Sequence, residues 1–213
     1  MINPEPSPSQ PAAIRGYYRW HAAIYDATRW TFLLGRNALL EHLPIVDAQE
    51  QTLLEVGCGT GRNLQRLAEQ HPQLQLIGVD VSSDMLARAS RPTRKYDRRV
   101  QLYERPYATE AFNLSQPLDF VLFSYALSMF NPGWEKAIAS AYDDLPVGGR
   151  IALVDFHASP SRLFRWWMRK NHVRMEAHLL PLLQSKFRTE YLEIRPALLG
   201  LWTYCLFIGQ KVA

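Results

Sequence analysis

The chain has 213 residues, 47% apolar and 21% charged, which is enough apolar material for one globular domain with a sizeable core and too little length for a second full one. No apolar run approaches the roughly 20 residues that span a bilayer, and the N-terminal MINPEPSPSQP lacks the basic start and apolar stretch of an export signal, so a cytoplasmic protein is expected. The formal charge of +4 is compatible with anionic partners, and two cysteines far apart in sequence, Cys58 and Cys205, suit reduced, buried thiols rather than a disulfide framework.

Residues 1–12 carry four of the fourteen prolines and read as a disordered tail. The remainder, 13–213, reads as one domain in which a helical cap (13–48) precedes an α/β core (49–213). Two helices are expected between Ile14 and about Leu43, where YYRWHAAIYDATRW leads into TFLLGRNALLEHL. The aromatic residues of that segment, Tyr17, Tyr18, Trp20, Tyr25 and Trp30, read first as packing residues. Strands and helices then alternate: strand Thr52–Val56, helix Arg62–Gln70, strand Gln75–Val79, helix Ser83–Ala89, short strand Val100–Tyr103, strand Asp119–Ser124, helix Glu135–Asp144 and strand Arg150–Phe156. Such alternation predicts a parallel sheet covered on both faces, with ligands at the carboxyl ends of its strands. Pro146-Val147-Gly148-Gly149 is a turn by composition, and two late strands, Thr189–Ile194 and Leu201–Gly209, are separated by Pro196 and Gly200.

The densest signal is LLEVGCGTGRN at Leu53–Asn63, followed by LIGVDVS ending at Ser82. Gly57, Gly59 and Gly61 fall where a turn after a buried strand takes positive φ angles and lets a ligand approach the backbone. Asp80 closes the next strand about 20 residues later, a spacing that suits a carboxylate on a ribose diol. A glycine turn with a purely structural role is the plainer alternative. Glu55, two residues before the first glycine, sets the motif apart from the dinucleotide pattern G-x-G-x-x-G. E-x-G-x-G-x-G before a strand ending in Asp resembles the class I S-adenosylmethionine (SAM)-dependent methyltransferases. The resemblance implies a Rossmann-like, mostly parallel seven-stranded sheet with a C-terminal antiparallel hairpin and N-terminal helices. It also implies SAM as cofactor, S-adenosylhomocysteine as product and no metal. The implied cofactor contacts are Gly57, Gly59, Gly61 and Asp80, with Glu55, Cys58, Thr60 and Asn63 around the loop, Val81 and Met85 beyond the second strand, and Ser124 after the fourth. Many relatives carry an acid after the third strand for the adenine amino group; here LYERPYATEAF puts Pro106 in that place, leaving a backbone amide or Glu104, with Tyr107 nearby.

Tyr25-Asp26 resembles the tyrosine-aspartate pair that covers the cofactor in lipid and quinone methyltransferases, and implies a cofactor and catalytic role for Tyr25. YYRWHAAIYDATRWTFLLGR (17–36), RKNHVRMEAHLLPLL and GLWTYCLFIGQK are similar to bacterial betaine-lipid N-methyltransferases, which convert diacylglyceryl homoserine to diacylglyceryl trimethylhomoserine. N-methylation of a lipid headgroup amine is therefore expected. The alternatives are phosphatidylethanolamine methylation, a soluble small molecule or quinone precursor as acceptor, and a non-catalytic SAM-binding protein. Tyr125, after the fourth strand, is expected to wall the methyl-transfer site. His157, after the fifth, is placed to take a proton from an ammonium acceptor or bind a substrate carboxylate, with His21 a weaker candidate; a histidine satisfied by backbone groups is the alternative. RLFRWWMRKNHVR (162–174) carries five basic residues and no acid among Leu, Phe, Trp and Met, the pattern of a basic amphipathic helix on an anionic membrane surface. Peripheral association with the inner face of the membrane is thus expected, against the alternative of an ordinary surface helix whose tryptophans pack on the core. His172, Glu176 and His178 read as a solvated helix face rather than a metal site. A basic footprint confined to one aromatic helix argues against nucleic acid.

Overall fold

A computed structural model describes residues 33–108 and 117–213. The chain divides into two units, Met1–Leu34 and Gly35–Ala213, and all the described strands and helices belong to the second. The expected tail, the first helix, His21 and Tyr25 lie outside the described residues. Helix α1, Arg36–Glu41, buries Leu39 and Leu40 and packs on the fifth strand and on the helix Arg62–Gln70. It is therefore grouped with the core, whereas the sequence reading placed it in a cap ending at residue 48.

The core follows the expected alternation. In chain order it runs β1 (Thr52–Val56), α2 (Arg62–Gln70), β2 (Gln75–Asp80), α3 (Ser83–Thr93), β3 (Val100–Glu104), β4 (Phe120–Ser124), α4 (Trp134–Asp144), β5 (Arg150–Ala158), α5 (Arg162–Lys170), α6 (Leu179–Lys186), β6 (Arg188–Ala197) and β7 (Trp202–Gln210). The seven strands form one sheet in the order β3-β2-β1-β4-β5-β7-β6. β1 pairs in parallel with both β2 and β4, β2 with β3, and β4 with β5; β7 runs antiparallel between β5 and β6. The central strands are continuous apolar runs because helices cover both faces: all of β1 is buried, as are Phe120–Phe123 of β4. β6, at the edge, is only half-buried and alternates. Pro196 lies within β6 opposite Thr203, a position an edge strand tolerates because the missing N–H can face outward.

This order fixes where a ligand can sit. β2 and β3 lie on one side of β1 and β4 on the other, so the chain reverses direction across the sheet between β1 and β4, and the crevice at such a switch point opens at the carboxyl ends of the strands.

Candidate active site

The loop leaving β1 is clamped to β2: the amides of Gly57 and Cys58 both donate to the Val79 carbonyl, at 2.9 and 3.0 Å. Two of its glycines do different work. Gly59 has φ 54°, and a β-carbon there would meet nothing within 4 Å, so the backbone is bare towards open space. Gly61 has φ 71°, and a β-carbon there would come within 2.9 Å of Ala89 in α3, so its smallness lets α2 and α3 close on each other. The first glycine role admits a ligand, and the second is packing.

Asp80 ends β2 beside this loop. Its Oδ2 accepts from the Gly59 amide at 2.8 Å and its Oδ1 from the Ser82 amide at 3.0 Å. The two bonds fix the carboxylate, while each oxygen keeps a second lone pair for a ligand hydroxyl. Val81 follows, 70% exposed, and Met85, half-buried, donates its amide to Ser82 Oγ at the start of α3. Together they offer an apolar ledge next to the carboxylate.

Glu55 is buried in β1. Its Oε1 accepts from Asn63 Nδ2 at 2.7 Å, and its Oε2 is buried with no hydrogen-bond partner. Burial pushes the carboxyl up to about 8, against the opposing pulls of the Asn63 bond and the Arg36 charge. The Ser124 hydroxyl, at the carboxyl end of β4, is likewise buried and unpartnered. Orphaned polar atoms in a native interior call for an explanation, and a ligand with a cationic group near Glu55 supplies one. SAM has these features: an ammonium at its methionine end, a ribose diol and a flat adenine. The residues present fit it.

Other expected contacts are placed less directly. Thr60 is half-buried in the loop. The Cys58 sulfur turns inward over Gly78, where burial raises its thiol far above the ordinary range, so Cys58 contributes its backbone to the loop rather than its side chain. Both cysteines are free and buried. Tyr107 departs from the expected adenine neighbourhood: its ring packs edge-on against Phe123 and its hydroxyl donates to Asp144 at 2.7 Å, which turns it onto the end of α4. Glu104, exposed at the end of β3, pairs in register with Asp80. Tyr125 has φ 56° and is buried edge-on against Phe156 at 4.8 Å, so its ring is packed rather than standing on an open wall. His157 is half-buried, its carbonyl accepts from the Ala177 amide at 2.7 Å, and burial lowers its imidazole below 6.5.

A cavity of about 590 Å³ is built by the segments leaving the carboxyl ends of β4 and β5. Trp134 and Glu135 line it from one side, and Arg169, His172, Arg174 and Glu176 from the other. Glu176 accepts from Arg169 at 3.0 Å and from Arg174 at 2.9 Å. The stretch from Asn171 to His178 is thus a loop joined to β5 by an Ala158–Glu176 bridge, not the helix face expected from sequence. His178 stands against Trp134 at 4.8 Å with both ring nitrogens buried and unpartnered. Sequence reasoning missed this cavity because its two sides are some forty positions apart and neither forms a motif.

The basic aromatic segment does form a helix. Ser161 Oγ caps α5 by accepting from the Phe164 amide at 3.2 Å. Trp166 and Trp167 are 53% and 46% exposed, and only Met168 is buried. Lys170 lies over the Trp166 ring at 4.4 Å. Packing of the tryptophans on the core, the alternative reading, is not what the helix does. No described helix is long and apolar enough to cross a membrane.

Comparison with known proteins agrees with this geometry. Residues 53–149 match a family model described as a methyltransferase domain. A trans-aconitate 2-methyltransferase of Rhodopseudomonas palustris is 30% identical over 118 residues, 54% of this chain and 41% of the relative. A malonyl-[acyl-carrier protein] O-methyltransferase of a Methylovorus species is 30% identical over 134 residues, covering 63% and 45%. The chain spans less than half the length of these two curated relatives. Among solved structures, the N-methyltransferase NodS of Bradyrhizobium japonicum, in complex with S-adenosylhomocysteine, superposes with a TM-score of 0.66 at 17% identity, over 83% of this chain and 85% of that one. Glycine loop, strand-end carboxylate and family match coincide in one region: residues 53–149 match the methyltransferase-domain model, and the seven-stranded sheet has the class I methyltransferase, Rossmann-like fold.

Proposed function

We propose that the chain is a SAM-dependent methyltransferase that N-methylates the headgroup amine of a membrane lipid, diacylglyceryl homoserine, to diacylglyceryl trimethylhomoserine. The observation that carries the choice of acceptor is the charge pattern of the β4–β5 cavity. Arg169 and Arg174 share Glu176, and Glu135 adds a second carboxylate, so the lining presents both signs in balance. A zwitterionic amino-acid headgroup, with an amine and a carboxylate, matches such a lining. A tricarboxylate acceptor, suggested by the relatives named for trans-aconitate, calls for surplus positive charge, which this lining does not offer. The exposed tryptophans of α5 favour a lipid over an acceptor enclosed in a roofed pocket.

When bound, SAM supplies a methyl group made electrophilic by its sulfonium. The protein's part is to position and desolvate. Asp80, with the Gly59 backbone, orients the ribose, and Glu55 holds the ammonium. An acceptor amine attacks only when neutral, so its ammonium proton must leave first. His157, at the carboxyl end of β5 and uncharged at neutral pH because burial lowers its pKa, is the proton acceptor.

Mass spectrometry of lipids after incubation with SAM tests the reading. Liposomes carrying diacylglyceryl homoserine should gain one to three methyl masses. Gain on phosphatidylethanolamine alone would move the acceptor to that lipid, and gain on trans-aconitate with neither lipid modified would overturn the lipid reading.

A further inference from the structure

The β6–β7 hairpin tip carries an apolar group left exposed by the described residues. Leu198 is 53% exposed, Leu199 is fully exposed and Leu201 is 38% exposed. Leu198 and Leu199 also sit at φ 45° and 57°, in the left-handed region where a branched residue is strained and glycine or asparagine is at ease. Packing among the described residues therefore accounts for neither the identity of these leucines nor their backbone conformation.

The tip does not stand alone. β7 runs antiparallel to β5, so its start lies beside the end of β5, with Thr203 opposite Ala158. Ser159 Oγ donates to the Leu201 carbonyl at 2.6 Å and accepts from the Ser161 amide at 3.1 Å. Ser161 in turn caps α5, and the Arg165 guanidinium donates to the Ser159 carbonyl. Hairpin tip and helix are thus tied through one turn. On the helix side, Leu163 is 75% exposed alongside Trp166 and Trp167, with Arg162, Arg165, Arg169 and Lys170 among them and no acidic residue in α5. Both parts lie at the carboxyl edge of β5, the edge at which β1, β2 and β4 also end.

We propose that the Leu198–Leu201 tip and helix α5 form one two-part docking surface for an anionic lipid bilayer, the leucines and tryptophans entering the interface and the α5 cations meeting the lipid charge. This rests on the lipid-headgroup reading and adds to it the surface by which the catalytic edge reaches the membrane. Charge selects the occupant: exposed apolar side chains set among clustered cations match an anionic interface, whereas a second copy of the chain would bring the same positive charges together.

The test is co-sedimentation of the full chain with vesicles of phosphatidylcholine alone or with one-third phosphatidylglycerol, without SAM and without homoserine lipid, so that docking is read independently of methyl transfer. The wild type should pellet with the anionic vesicles and be released by high salt. Leu198→Ser with Leu199→Ser should lower the partition about tenfold or more, and Trp166→Ala with Trp167→Ala should do likewise. Unchanged S-adenosylhomocysteine binding would show that both variants are folded. Wild-type protein left in the supernatant, or leucine variants pelleting as well as wild type, would overturn the proposal. So would loss of a wild-type dimer in the leucine variant with vesicle binding unchanged. Docking without methyl gain would count against the acceptor assignment alone.

Discussion

Substituting Glu55 probes the site through protons. The carboxyl is buried and held up to about 8 by burial, so at pH 7 about 0.9 of the free protein carries the proton. Placing the SAM ammonium beside the unpartnered Oε2 favours the ionised form, and binding should release nearly one proton. Calorimetry in two buffers of different ionisation enthalpy reads this number directly. Ionising the group at pH 7 costs about 1.4 kcal/mol, set against about 1.5–3 kcal/mol for a charge-assisted bond. The net gain over Glu55→Gln is then at most about 1.6 kcal/mol at pH 7, up to roughly fifteenfold in Kd. Between pH 6 and 7, where the ligand amine stays charged, the wild-type Kd should fall by about two- to sixfold, while Glu55→Gln should show no slope and no proton release. The same shift makes the ligand-free fold less stable as pH rises from 4.5 towards 8, because the folded state holds this proton more tightly than the unfolded chain. A buffer-independent binding enthalpy at pH 7 in the wild type would refute the assignment of Glu55 to the ammonium.

Asp80→Asn removes the charge proposed to hold the ribose hydroxyls and should weaken SAM binding by about 3 kcal/mol, roughly a hundredfold, by calorimetry; a change under threefold would exclude it from the ribose. Gly61→Ala forces a β-carbon to within 2.9 Å of Ala89 at φ 71°, so the urea midpoint should drop by an amount equivalent to about 1–3 kcal/mol, whereas SAM affinity at matched folded fraction should change little. His157→Gln should lower kcat with KM for SAM unchanged. The wild type should also lose activity on the acid side, as pH falls through the pKa that burial holds below the ordinary histidine value, and the variant should lack that acid limb; identical pH profiles would remove His157 from proton transfer.

The parts legible in the sequence are those that local chemistry determines. β1 and α2 fall on their expected bounds, Thr52–Val56 and Arg62–Gln70, because an apolar run, a glycine turn and a helix need no distant partner to be recognised. β2 extends one residue to include Asp80, and β5 two residues to Ala158, since only pairing with a neighbour shows how far a strand continues. Helix α6 escaped notice because Pro181 sits within LLPLLQSK, yet in the first turn of a helix the missing N–H is no loss. Tyr107 misled for another reason: position after β3 suggested a cofactor neighbour, and a hydrogen bond to Asp144, 37 residues away, decided its direction instead.

The cofactor half and the acceptor half of the site are therefore encoded in different ways, and this bears on how far similarity can carry. The proposed cofactor contacts Gly59, Asp80 and Glu55 rest on backbone shape and a few short contacts within 53–80, inside the region that matches the methyltransferase-domain model. That match stops at residue 149, before α5, most of the β4–β5 cavity lining and the leucine hairpin tip. Relatives similar over 54% and 63% of the chain carry the names of trans-aconitate and malonyl-[acyl-carrier protein] methyltransferases, two different acceptors. If the proposed activity holds, acceptor choice should reside chiefly in the side chains that residues 150–213 bring to the carboxyl edge. Exchanging those residues for the corresponding segment of a trans-aconitate relative, with SAM affinity as the control, would move the acceptor with the segment if that division holds.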